Sequence, residues 1–300
     1  MVPGRRGIVK IRLGRGNCDR YNDAMERNVR QPVVAGSFYP GDPTRLRDLV
    51  RDLLGDEVPA RAASSVGLIV PHAGYMYSGR VAGAGMRAAS AYGKPDVVIV
   101  LGASHSGAGG AMVVPTEGAW RTPLGDVPLD GASIRRLTSL GIESNPMAFL
   151  REHSMEVVLP FLQVLFPEPG PVVPVCVQFA HWAVLVDGAR AVASALDGRR
   201  AWIVASSDFT HYEPDSVARR LDRAALDLIL AGDAEGFYRQ TIERGLTICG
   251  AGAICVLLLV ARELGLGHSK LAEYATSGDV TGDQSAVVGY AAALFTKETS

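Results

Sequence analysis

Four cysteines in 300 residues, none in a CxxC spacing, are too few for a disulfide framework. Any useful cysteine therefore acts as a thiol, and reduced thiols fit a cytoplasmic setting. Charge of one sign is lacking too: 30 Lys and Arg meet 31 Asp and Glu, a formal net charge of -1. That balance gives no basic field to draw nucleic acid or an anionic membrane surface, and neither is expected as a partner. No apolar run reaches the roughly 20 residues that cross a bilayer. The longest, Ile248 to Ala261, is broken by Gly250 and Gly252 and closed by Arg262 and Glu263, and reads as a buried helix. What is present, 48% hydrophobic and 20% charged residues, belongs to a chain that packs a core and excludes disordered or fibrous classes.

The first stretch stands apart. Arg5, Arg6, Lys10, Arg12, Arg15, Arg20 and Arg27 are set against Asp19, Asp23 and Glu26, without the apolar region of a signal peptide and with almost no serine. Residues 1–28 are expected to be a disordered basic arm, with Met25 an alternative start of translation, and residues 29–300 one domain. In that domain β-branched runs at Val66–Val70, Val97–Leu101, Val172–Val177 and Ala201–Ala205 read as near-continuous apolar strands, the pattern of a parallel sheet covered on both faces. Helical spacing falls between them, at Pro43–Leu54, Gly79–Tyr92, Gly131–Leu140, Ser154–Phe166, Trp182–Leu196, Ser216–Leu230, Ala234–Arg244 and Ala251–Leu264. A late strand, Ala286–Leu294, closes the sheet. The alternation predicts a single α/β domain with a largely parallel central sheet and helices on both faces.

Three of the strands are followed by histidine at similar spacing: His72 in IVPHAGY, His105 in VLGASHSG, and His211, with Asp208, in VASSDFTHY. Loops at the carboxyl ends of neighbouring parallel strands converge on one crevice, so these side chains can meet there. Cys249 precedes a helix that Thr247 is expected to cap, a placement that lowers a thiol pKa and favours the thiolate. Two imidazoles and a thiolate make an open metal site suited to zinc, copper or iron, with His211 as acid or base and Asp208 positioning it. His153 and Glu156 fall one helical turn apart and can line the crevice, as can Tyr75 and Ser104. Cys176 and Cys255 read as packing residues, and His181 and His268 as loop residues. Rival chemistries fit less well: Ser106 breaks a GxSxG nucleophile elbow at Gly102, and the GxGxxA from Gly83 lies inside a helical pattern rather than at a strand-to-helix turn.

VRQPVVAGSFYPGD, IVPHAGYMYSG, VLGASHSG, WRTPLGDVPLD, EHSMEVVLPFLQ, VASSDFTHY, TICGAGAICVLL and TGDQSAVVGYAA, in this order, resemble the Memo family, called AmmeMemoRadiSam system protein B in prokaryotes. The resemblance runs from about Val29 to the C-terminus. It implies a fold similar to class III extradiol dioxygenases, which hold non-haem iron(II) with two histidines and a carboxylate. It also implies metal ligands His72, His105 and Cys249, pocket residues Asp208 and His211, and iron(II) or copper as the ion. Two positions depart from the family pattern: Ser106 stands where many members have a second histidine, and Ala251 where animal members have a basic residue. The latter weakens any carry-over of phosphotyrosine-peptide binding.

Two function classes follow. One is a metal-dependent oxidoreductase. The other is a non-catalytic binding or scaffold protein acting with a radical SAM enzyme and an AMMECR1-like protein, as the prokaryotic family name implies. Zinc-dependent hydrolysis and a metal-free reactive Cys249 are minor variants.

Overall fold

The computed structural model describes residues 29–62 and 64–297. The basic arm expected over 1–28, the start at Met25 and Cys18 lie outside the described residues. The elements in chain order are β1 (Val29–Arg30), α1 (Pro43–Leu54), β2 (Val66–Val70), α2 (Tyr75–Ser90), β3 (Val97–Ala103), β4 (Met112–Val114), β5 (Ala119–Thr122) and β6 (Gly125–Pro128). They continue with α3 (Gly131–Ser139), β7 (Glu143–Ser144), α4 (Leu159–Leu165), β8 (Val172–Val177), α5 (Trp182–Leu196), β9 (Ala201–Ser206) and β10 (His211–Glu213). The last are α6 (Asp215–Leu230), α7 (Ala234–Arg244), α8 (Ala251–Glu263), β11 (His268–Thr276), α9 (Gly278–Thr281) and β12 (Val287–Thr296).

One mixed sheet organises the domain, in the order β10-β12-β2-β9-β3-β8-β4-β7, with β11 along the other edge of β12. Its centre, β2-β9-β3-β8, is parallel, while β12 and β4 run antiparallel to it. A separate three-stranded sheet, β1-β5-β6, carries the start of the described chain.

The uninterrupted apolar runs have a simple cause, since alternate residues of each strand feed two different cores. Ile69, Ile99, Leu101 and Ile203 pack with α3, α5, α6, α7 and α8. Leu68, Val98, Val100 and Val204 pack with α1, α2 and α4 on the opposite face. The long apolar segment is α8, buried from Ala251 to Ala261, and no helix among the described residues is long and apolar enough to cross a membrane. The glycines of α2 serve helix packing, because a Cβ at Gly83 would collide with the Leu53 carbonyl of α1.

Some local expectations are corrected. α2 begins at Tyr75, directly after the His72 loop, rather than at Gly79. The helix expected over Ser154–Phe166 is a 3₁₀ turn at Glu156–Val158 followed by α4. His268 opens β11, a strand the sequence pattern does not announce because its residues alternate in a half-buried way at the sheet margin. Thr247 does not cap α8: Gly250 takes that position, and the Thr247 hydroxyl accepts a hydrogen bond from the His211 amide.

Candidate metal centre

Strand register builds the site. Ser206 of β9 lies opposite Val70 of β2 on one side and Gly102 of β3 on the other. His72, Asp208 and His105 each follow these positions by two or three residues, so adjacent parallel strands deliver them to one crevice. Two glycines allow the connecting loops to close on it. A Cβ at Gly102 would strike Ser154 and Met155, and one at Gly250 would strike Ser206 and Ser207.

The crevice brings together three imidazoles, with one ring nitrogen each of His72, His105 and His153 lying within 4.8 Å of one another. His105 and His153 stack with ring centroids 4.6 Å apart, and both meet the edge of His72, at 5.2 and 5.5 Å. Phe38 packs on His153 from outside at 4.9 Å.

The tautomers of two rings follow from their partners. The Ser206 hydroxyl has one proton, and it is given to the Ser154 carbonyl at 2.6 Å, so Ser206 Oγ accepts from His72 Nδ1 at 3.1 Å. His72 therefore carries its lone pair on Nε2. Glu152 plays the same part for His105, accepting from its Nδ1 at 2.9 Å and its amide at 2.8 Å, while the amides of His153 and Ser154 also donate to this carboxylate. A carboxylate or hydroxyl behind the far nitrogen is the usual support of a metal-binding imidazole.

Protonation follows from these contacts. Burial opposes ionisation of Glu152, but the hydrogen bonds from His105 and the charge on that ring prevail and draw its pKa down to about 2. The same hydrogen bond raises His105. Burial lowers His72, and burial together with the neighbouring rings lowers His153 to about 4. His153 is thus a neutral donor at pH 7, the form that binds a metal.

Cys249 joins the group at its inner side, with Sγ 3.3 Å from His72 Nε2 and 3.2 Å from the Asp208 amide that donates to it. Donors around a tetrahedral ion sit about 3–4 Å apart, so the sulfur is at ligand spacing from His72, while the ligand atoms that lie within 4.8 Å of one another are those of His72, His105 and His153. The expected thiol shift is reversed. Burial and the nearby Asp208 carboxylate push Cys249 well above the ordinary thiol range, because the chain before Gly250 is desolvated and the helix amides do not outweigh that cost. Cys176 and Cys255 are buried packing residues, as expected.

The remaining candidates are distributed differently. Asp208 Oδ1 accepts from the amides of His72, at 2.8 Å, and Ala73, so it fixes the His72 loop and does not touch His211. His211 donates from Nδ1 to the Thr247 carbonyl at 2.8 Å, which leaves its Nε2 lone pair open. Tyr75 is buried, its hydroxyl donating to the Val157 carbonyl at 2.6 Å and its ring packed on Phe161. Ser104 Oγ is buried without a hydrogen-bond partner among the described residues. Glu156 faces away from the imidazoles, since the 3₁₀ turn aims it at the chain after β1. There it pairs with Arg30 at 2.7 Å and accepts from the amides of Val33 and Val34 and from the Tyr39 hydroxyl.

The sequence pattern does not single out Glu152 or Ser206, and it gives Thr247 a helix-capping place rather than its contact with His211. An acid directly before His153 in EHSME was the available sign for the first.

A family model described as Memo-like protein matches residues 30–294. The chain belongs to the Memo-like protein family. Curated relatives named MEMO1 family protein agree over the same stretch. The Pyrobaculum arsenaticum protein is 39% identical over 278 residues, covering 89% of this chain and 99% of its own. That of Nitrosopumilus maritimus is 38% identical over 275 residues, with 89% and 99% covered. That of Methanosarcina barkeri is 36% identical over 269 residues, again with 89% and 99% covered. The match of this Memo-like chain begins at Arg30, the partner of Glu156, and takes in every residue of the crevice.

Proposed function

We propose that this Memo-like protein binds iron(II) or copper through His72, His105 and His153, with Cys249 as a further donor, and acts as an oxidoreductase related to the class III extradiol dioxygenases. One observation carries the reading: three imidazoles converge, and Ser206 and Glu152 hold two of them by Nδ1, so that Nε2 is the nitrogen each ring offers to an ion. Neutral imidazole with an adjacent sulfur suits iron, copper or zinc more than magnesium or calcium. When bound, a redox-active ion would supply electron transfer and Lewis acidity.

The chain's own residues do the rest. Ser206 and Glu152 keep the rings oriented, Phe38 shields His153, and Asp208 fixes the His72 loop. His211, held by Thr247, accepts a proton at Nε2. The Cys249 thiol would give up its proton to a base if it ligated a bound cation, since coordination favours thiolate.

Metal analysis after anaerobic purification without added metal tests this reading, beside His72→Ala, His153→Ala and Cys249→Ala. Near-stoichiometric iron or copper, lost in His72→Ala and weakened in the other two, is expected. A protein that is empty and refuses iron, copper and zinc on reconstitution overturns the reading. Redox-inert zinc with hydrolytic turnover would move it to hydrolysis.

The second reading is a non-catalytic scaffold in the cytoplasm, working with a radical SAM enzyme and an AMMECR1-like protein. The protonated Cys249 thiol favours it, because a hydrogen bond to His72 Nε2 would cap the lone pair an ion needs. Metal-independent capture of either partner by the purified chain supports it.

A further inference from the structure

Asp222, in the middle of α6, is fully buried and takes no part in the crevice. A carboxylate withdrawn from water is costly unless its hydrogen bonds are met, and here they are. Oδ1 accepts from the Thr210 hydroxyl at 2.6 Å and from the Thr210 amide at 3.0 Å, and Oδ2 accepts from the Tyr274 hydroxyl of β11 at 2.7 Å. Burial pushes the Asp222 pKa up, while the bonds from Thr210 and Tyr274 and the charge His211 can carry oppose that rise. A glycine at position 289 of β12 permits the close approach, because a Cβ there would strike Oδ2.

Two of these three bonds end on the residue directly before His211. The chain that follows is kinked. Tyr212 has a φ of 61°, in the left-handed region where a bulky side chain is out of place, and its ring is 80% exposed, so packing of the ring does not explain the conformation. The register of β10 on β12 shifts at the same point, between His211 and Glu213. Irregularities of this kind re-aim a side chain, and backbone strain persists only where the surroundings over-determine it. Thr210 is gripped by Asp222, its carbonyl accepts from the Gly289 amide at 2.9 Å, and Thr247 holds His211 by its amide and its Nδ1, both at 2.8 Å.

We propose that Asp222 is a positioning residue for His211: through Thr210 it fixes the kinked strand so that Nδ1 keeps its hydrogen bond to Thr247 and Nε2 keeps its lone pair. The role bears on catalysis through the reading of His211 as a proton acceptor, on which it rests. Ring geometry is measurable without metal or substrate, so the two can fail separately.

The test is the tautomer of His211 in the full, metal-free chain, read from nitrogen–proton correlation spectra of ring-labelled histidine at a pH where the ring is neutral. Loss of one signal in His211→Gln assigns it. The wild-type ring is expected to carry its proton on Nδ1. Thr210→Val, which keeps the shape and removes the hydroxyl, and Asp222→Ala should each lower the ratio of Nδ1–H to Nε2–H by at least about fivefold, the worth of one hydrogen bond. Thr210→Ser should keep the wild-type ratio. Tyr274→Phe takes a hydrogen bond from the same carboxylate but none from the His211 strand, and should leave the ratio unchanged. A wild-type ring protonated on Nε2, an unchanged ratio in Thr210→Val, or an equal fall in Tyr274→Phe overturns the proposal. If Asp222→Ala does not fold, the two threonine variants decide it.

Discussion

Glu152 and Glu156 are four residues apart in one turn, both without solvent exposure, and they do opposite work. Glu156 faces Arg30, a permanent cation, and gathers the amides of Val33 and Val34. Glu152 faces His105, a ring that can gain or lose a proton, and it receives three backbone amides besides. A buried acid paired with arginine locks two chain segments together, whereas one paired with a solvent-accessible histidine sets the state of that histidine. Burial alone does not distinguish the two; the partner does.

Isosteric substitutions separate them. Glu156→Gln leaves the Arg30 guanidinium buried without its counter-charge and should cost about 3–5 kcal/mol of stability, read by denaturant unfolding. Metal affinity of the folded fraction should change little. Glu152→Gln should do the reverse, weakening metal about ten- to a hundredfold in a competition titration through loss of the support behind His105. If the two variants exchanged these effects, the division of labour would be wrong.

Acidity sharpens the contrast. His105 is raised from 6.5, so its contribution to stability is complete below that value and is lost as pH rises through the folded pKa. Glu152 is depressed from 4.5 to about 2, so its contribution is complete above 4.5 and is lost as pH falls toward 2. The metal-free protein should therefore gain most from this pair between these unfolded values, and Glu152→Gln should flatten that maximum in unfolding curves taken across pH. Metal binding must displace the His105 proton, so affinity should rise with pH by about tenfold per unit until the ring is neutral. The smallest effect is expected from Arg30→Lys, which keeps the charge but loses the fork to the Phe149 and Glu152 carbonyls. It should cost about 1 kcal/mol for each hydrogen bond not replaced, measured by thermal unfolding.

Much of this arrangement is legible in the sequence. His72, His105 and Asp208 each follow an apolar strand by two residues, with His211 three further on, and parallel strands leave little choice about where they meet. The two-faced sheet was equally plain, because residues such as Ile203 and Val204 are both apolar and serve different cores. Less could be read where short-range geometry decides. The pattern of EHSME allows a regular helix with His153 and Glu156 on one face, but the chain makes a 3₁₀ turn there and sends Glu156 the other way. Cys249 beside a helix start suggested an acidic thiol, and burial, which the sequence does not display, reversed the shift. β5 and β6 are four residues each, too short for a period to emerge.

The closing strand has a consequence for how such a chain comes into being. β12 is the last element of the described chain, yet it pairs with β2, near its beginning, and shares the sheet edge that β10 continues beside His211. During synthesis from the N-terminus, the edge of β2 waits with open amides and carbonyls until more than two hundred further residues have emerged. Contacts so far apart in sequence make for slow, late assembly and a long exposure to wrong partners. A ribosome-bound chain stopped before Val287 would own every histidine and cysteine of the crevice and still lack the strand that completes the sheet around them.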